Sequence, residues 1–238
     1  MKTGTVKSVA AFGKLVGICN DLGARYDPSK ATLTTTALAT LLEQAQQNVE
    51  AVSMARVTLT LAINNRQEKF AEVYPLAARI VRALAAAESS REHIRDAILI
   101  RRKLSAKVTP PVLPAKAGSE PGSAGPIAHK SSRLDYDGKL ETFSSLVKLV
   151  QKIPSYAPNE PDLKLTALHA FLIELQDALT AVADAANAMV TARISRNKVM
   201  IGKGGVIETG NAVKEYIRSV FGVRSEPAKE LGKLRLVA

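Results

Sequence analysis

The segment YDPSKATLTTTALATLL, residues 26–42, returns in altered form as YAPNEPDLKLTALHAFL, residues 156–172, with seven of seventeen positions identical. No other feature limits the fold as much, because homologous segments within one chain must form the same local structure. Upstream, FGKLVGICNDL (12–22) aligns with FSSLVKLVQKI (143–153) at an offset of 131, pairing Phe12 with Phe143, Leu15 with Leu146, Val16 with Val147 and Leu22 with Ile153. Downstream, at an offset of 130, the ladder Leu38, Leu42, Ala45, Val49, Val52, Leu59 aligns with Leu168, Leu172, Leu175, Leu179, Val182, Met189. In the second copy the apolar positions 165, 168, 172, 175, 179, 182, 186 and 189 alternate steps of three and four. That is a heptad seam, which long helices use to pack on near-parallel partners.

Each copy therefore predicts the same series. A short amphipathic helix ends near Leu22 or Ile153, and a turn on YDP or YAPNEP follows. A long helix covers roughly 31–66 and 161–198, with Pro28 and Pro158 outside its start, where a missing N–H costs nothing. A third helix covers 68–87 and 205–221, with IVRAL (80–84) resembling YIRSV (216–220) and Pro75 predicting a kink or break. A last segment follows a serine-bearing break in each copy, SSREHIRDAILIRRKL and SEPAKELGKLRL. Between the copies, residues 105–132 hold five of the eleven prolines and little apolar bulk, which predicts an extended Pro/Gly/Ser-rich linker. The predicted organisation is helical repeat 1 over 1–104, the linker over 105–132 and helical repeat 2 over 133–238.

Composition agrees with helices. Apolar residues make up 46% of the 238, yet there is no Trp and only five Phe and five Tyr. Ala and Leu favour helix, whereas the aromatic and β-branched residues that favour strands are sparse in the long segments. The fold class is thus all-α: two tandem homologous antiparallel helical-bundle units with long heptad-bearing helices, pseudo-two-fold related.

The segments FGKLVGICNDLGARYDPSKATLTTTALATLLEQAQ, YAPNEPDLKLTALHAFLIELQ and ARISRNKVMI…VKEYIRSVFG resemble an uncharacterised family of basic, tandem-repeat, all-helical proteins of about this length in bacterial genomes. The resemblance covers almost the whole chain outside the linker. It implies the architecture, and because it carries no assigned activity it supplies no site residues.

Charge and cysteine usage bound the function. The net charge is +11, spread as +6 over 1–104, +2 over 105–135 and +3 over 136–238. A basic surface attracts polyanions such as nucleic acid or anionic membrane, although cations on solvated helix faces give the same count. The single cysteine, Cys19, excludes an internal disulfide and fits a reducing, cytoplasmic compartment. It falls on an apolar helix face and reads as core; Lys14 and Ile18 argue against a lipoprotein signal. No run of eighteen apolar residues is present, so no membrane span is expected.

VMIGKGGVIETGN (199–211) resembles the Gly-x-x-Gly loop of a KH domain, with Lys203 beside the glycines. A helix heptad precedes it where a KH domain needs strands, and copy one has no such glycines, so an interhelical turn is the better reading. It also lacks the spacing of a P-loop. Around this turn Arg193, Arg196, Lys198 and Lys203 lie within eleven residues with no acid among them. In copy one, Arg91, Arg95, Arg101, Arg102, Lys103 and Lys107 form a second basic run, against Glu92 and Asp96. Arg101, Arg102, Lys103, Arg193, Arg196, Lys198 and Lys203 are the candidate phosphate or polyanion contacts. Cations also gather at helix C-termini for the dipole alone. Stacking aromatics are limited to Tyr216 and Phe221, which argues against reading bases.

His93, His129 and His169 have no metal-ligand spacing, and the carboxylates are scattered along amphipathic helices. No catalytic, cofactor-binding or metal-binding residue is assigned, and a non-enzymatic protein is expected. The first expectation is a structural or scaffolding protein that self-associates into an oligomer or filament, its partner being itself. The alternative is a sequence-nonspecific nucleic-acid-binding accessory protein.

Overall fold

In a computed structural model describing residues 3–87, 89–105 and 135–237, the elements are helices and no strand occurs among the described residues. The protein is all-α. Its helices are α1 Thr3–Asp21, α2 Thr35–Ala71, α3 Val73–Ala86, α4 Arg91–Leu104, α5 Tyr136–Gln151, α6 Leu165–Ile201, α7 Val206–Phe221 and α8 Glu226–Lys233. The linker expected at 105–132 lies outside the described residues, Ser105 apart, as do Lys107 and His129.

The repeat survives into local geometry. Helices α2 and α6 are each 37 residues long, with both ends offset by 130. Before each lies a 3-10 turn, Ala31–Leu33 or Pro161–Leu163. The Tyr26 hydroxyl donates to the Leu33 carbonyl at 2.7 Å, and the Tyr156 hydroxyl donates to the Leu163 carbonyl at 2.9 Å. Both tyrosines and both leucines are buried, so each bond fastens the turn onto a core where an unpaired hydroxyl would be costly.

Helix boundaries differ from the pattern for identifiable reasons. The long helices start at 35 and 165, because Thr34 and Lys164 have extended backbone (ψ 149° and 145°) that separates them from the preceding turns. They run on to 71 and 201, which moves the start of the third helix in copy one to Val73. Pro75 then falls in the first turn of α3, where no N–H is needed, and the break expected from it lies just ahead of it at Glu72. In α3 the buried residues include Val73, Ala77, Ile80 and Leu84; in α7 they include Val206, Gly210, Val213 and Ile217, with the same 4–3–4 spacing. The structural register is therefore an offset of 133, rather than the 136 implied by matching IVRAL with YIRSV. Glu72 alone separates α2 from α3, whereas Gly202 to Gly205 separate α6 from α7, an insertion of three residues.

Packing does not follow the repeat boundaries. One compact unit comprises Met1–Leu61 with Ala183–Ala238, and the other Ala62–Val182. In the first, termed unit 1, Phe12, Leu15 and Leu38 from copy one share a core with Val206, Val213 and Ile217 from copy two. In unit 2, Val73, Ile80 and Leu84 from copy one share a core with Phe143, Leu146, Leu168 and Leu175 from copy two. The division into 1–104 and 133–238 thus describes the sequence, and each core draws on both repeats. The physical reason is the long helix: 37 residues at ~1.5 Å each span ~55 Å, beyond what the short helix that follows can retrace. Within unit 2, α4 packs on α5, so the two ends of the linker belong to the same unit.

The heptad ladder is only partly a core. Of its positions on α6, Leu168 and Leu175 are fully buried and Met189 is buried, while Leu172, Leu179 and Val182 are half-buried. The Leu165–Phe221 stretch also contains an eighteen-residue window of mean hydropathy 1.3, of which 17% is buried. By length and composition this reaches the range of a membrane span, where the sequence pattern predicts none.

In unit 1 the end of the chain is fastened down. The Ser8 hydroxyl donates to the Val237 carbonyl at 2.5 Å and accepts from the Val237 N–H at 2.8 Å. Leu236 lies over Gly210, where an added Cβ would come within 2.2 Å of its Cδ1. Ala77, the counterpart of Gly210 at the offset of 133, is buried in unit 2.

Candidate functional site

The candidate cations divide between the units. Arg101, Arg102 and Lys103 form the last turn of α4 in unit 2, and Arg193, Arg196, Lys198 and Lys203 lie on α6 and the following turn in unit 1. Leu104, buried, anchors the end of α4 and leaves Arg102 and Lys103 exposed. Arg101 is half-buried, and its Nε has no hydrogen-bond partner among the described residues. On α6, Arg193 and Lys198 are exposed and Arg196 is half-buried, with its guanidinium donating to the neighbouring Asn197. Among the described residues, the salt bridges involve Lys69, Arg79, Arg218, Lys229 and Lys233 and none of the seven candidates.

The glycine turn between α6 and α7 is built for chain reversal. Gly204 has φ +72°, the left-handed region that favours glycine. A Cβ on Gly205 would fall 2.6 Å from the Val199 carbonyl oxygen. The Gly204 N–H donates to the Glu208 carboxylate at 2.8 Å, and the Gly205 N–H donates to the Gly202 carbonyl at 2.8 Å. These two donors are satisfied internally, unlike the open amides of a phosphate cradle. Lys203 is exposed beside them.

The sequence pattern missed the uncovered apolar faces. On α2, Met54, Val57 and Leu61 are 58%, 52% and 62% exposed, at i, i+3 and i+7. At ~100° per residue they lie opposite the line of Leu38, Ala45 and Val52, which is buried. On α6, Val190, Ile194 and Ile201 are 54%, 64% and 59% exposed. The signal was present as apolar residues off the main ladder, but only tertiary packing shows which of two apolar faces is covered.

His93 and His169 stand on different helices, and among the described residues no three His, Cys, Asp or Glu side chains gather as a metal site would require. His169 lines a shallow depression of about 420 Å³ with Asp137, Glu141 and Ile173. A second, of about 530 Å³, lies beside Tyr156, Arg79 and Glu160. Arg79 there is already paired with Asp162 and holds that carboxyl below its ordinary range.

Cys19 is fully buried next to Tyr26, whose ring meets Tyr216 edge-on at 5.3 Å between centroids. Burial pushes the thiol from 9.0 up to about 11, partly offset by the Tyr26 hydroxyl. Burial likewise raises Tyr26, and raises Tyr156 to about 12. A raised pKa means the folded state holds the proton more tightly. That stabilisation is complete below the ordinary values and is lost as pH climbs through the raised ones. The melting temperature is therefore expected to fall as the pH is raised from about 9 towards 11, and Cys19→Ala to flatten that fall. At neutral pH a thiol reagent should label Cys19 only after denaturant is added; rapid labelling of native protein would contradict its burial.

No protein family, curated protein or solved structure matches the chain.

Proposed function

We propose that the chain is a non-enzymatic structural protein that self-associates into an oligomer or filament. The observation that carries this reading is the α2 face of Met54, Val57 and Leu61, more than half exposed and spaced as a heptad seam. Apolar side chains in that register pack as knobs into a facing helix, and burying them removes aliphatic surface from water. The repeat adds to this reading: a chain with two related tandem, antiparallel repeats offers related surfaces, and head-to-tail contacts between them need not close. One buried thiol fits a cytoplasmic location.

The test is light scattering at micromolar concentration. The expected mass is a multiple of 25.4 kDa that persists in high salt, and Leu61→Glu should shift it toward the monomer while helicity is kept. A monodisperse monomer in low and moderate salt alike would end the proposal. It would promote the second reading, sequence-nonspecific nucleic-acid binding through Arg101, Arg102, Lys103, Arg193, Arg196, Lys198 and Lys203. What favours that reading is their lack of salt-bridge partners among the described residues, and it predicts retention on DNA that high salt abolishes.

A further inference from the structure

The exposed face at the C-terminal end of α6 combines two properties that the α2 seam does not. Val190, Ile194 and Ile201 lie at i, i+4 and i+11, within ~40° of one another around the helix, and all three are more than half exposed. Arg193 and Lys198 stand to either side of that line, both exposed, and Lys203 follows in the turn. From residue 185 to residue 207 the chain holds four cations, no acid and no aromatic residue. The carboxylates that border this stretch are Asp184, exposed and six residues before Val190, and Glu208, which is engaged by the Gly204 N–H at the start of α7.

We propose that this face of unit 1 docks onto an anionic lipid bilayer, with Val190, Ile194 and Ile201 entering the headgroup boundary and Arg193, Lys198 and Lys203 meeting the lipid phosphates. Aliphatic residues flanked by Arg and Lys, with no acid, form the pattern of an interfacial helix. Charge complementarity selects this occupant. Face-to-face pairing with a second copy would set Arg193 and Lys198 against the same cations, which repel. A nucleic-acid backbone would satisfy the cations but gives three branched aliphatic side chains nothing apolar to cover them, and the segment has no aromatic residue for stacking. The contact is independent of the α2 seam, so it stands or falls apart from self-association.

The test is co-sedimentation of the full chain with vesicles of phosphatidylcholine alone and of phosphatidylcholine with phosphatidylserine, alongside single-stranded RNA and duplex DNA. The expected result is sedimentation with the phosphatidylserine vesicles only. The double variant Arg193→Glu, Lys198→Glu should weaken partitioning by about tenfold or more, since each cation near such a surface contributes roughly fivefold. Val190→Ser with Ile194→Ser should also weaken it by about tenfold or more while leaving the charge unchanged. These positions are exposed, and circular dichroism of each variant checks that the helices remain. Absence of wild-type sedimentation with phosphatidylserine vesicles would overturn the proposal. So would equal binding to both vesicle types, or unchanged partitioning of the serine variant, which would mark a purely electrostatic site of the kind nucleic acid uses.

Discussion

Neither repeat, expressed alone, is expected to give a folded monomer. Copy one supplies six of the largest fully buried side chains: Phe12, Leu15 and Leu38 to one core, and Val73, Ile80 and Leu84 to the other. Each such side chain contributes about 1.5–3 kcal/mol when buried, so stranding six of them matches or exceeds the ~5–15 kcal/mol by which a domain is stable. Residues 1–105 should therefore show no cooperative thermal transition as a monomer, or should pair with a second copy of themselves through the same shared cores. Co-expression of 1–105 with 134–238 is expected to restore a one-to-one complex that melts as the intact chain does. Circular dichroism with sizing decides it, and a folded monomer of either repeat would refute the shared cores.

The second large effect is expected at Leu175. It is fully buried in unit 2, on α6, in a core drawn from both copies. Leu175→Ala should cost about 2–5 kcal/mol, the sum of lost burial and the cavity that close-packed neighbours fail to fill. Leu179, one turn on and half-buried, is expected to lose less when cut to Ala, because water already reaches part of it. Urea denaturation of the two variants provides the comparison. Equal losses, or none at Leu175, would mean that the ladder is not anchored where the burial puts it.

Most of the local structure was legible in the residues. The recurrence of Tyr26 and Tyr156, with Leu33 and Leu163 seven positions on, set equivalent turns, and the hydroxyl-to-carbonyl bonds are the same in both copies. The 3–4 spacing of apolar residues determined two long helices, and the α6–α7 glycines determined a turn in place of a phosphate loop. These are short-range effects: periodicity, capping and backbone conformation act within a few residues and leave their mark in sequence order.

Partner choice was not legible, and the cause is the duplication itself. Because the copies carry equivalent apolar patterns, Phe12 and Leu38 match the third helix of either repeat, and sequence alone cannot say which one they meet. Tertiary structure decided it: α2 and α6 run on unbroken through 37 residues, so each delivers the helices that follow it to the other copy's core. The same limit applies to the candidate sites. The sequence by itself determined which residues are cationic and which apolar; only packing determined that Met54, Val57 and Leu61 stand uncovered, that Val190, Ile194 and Ile201 lie exposed among cations, and that Leu172 and Leu179 are half-buried beside a buried Leu175. Burial belongs to the contacts between distant segments, and a one-dimensional pattern records the apolar face without recording what covers it.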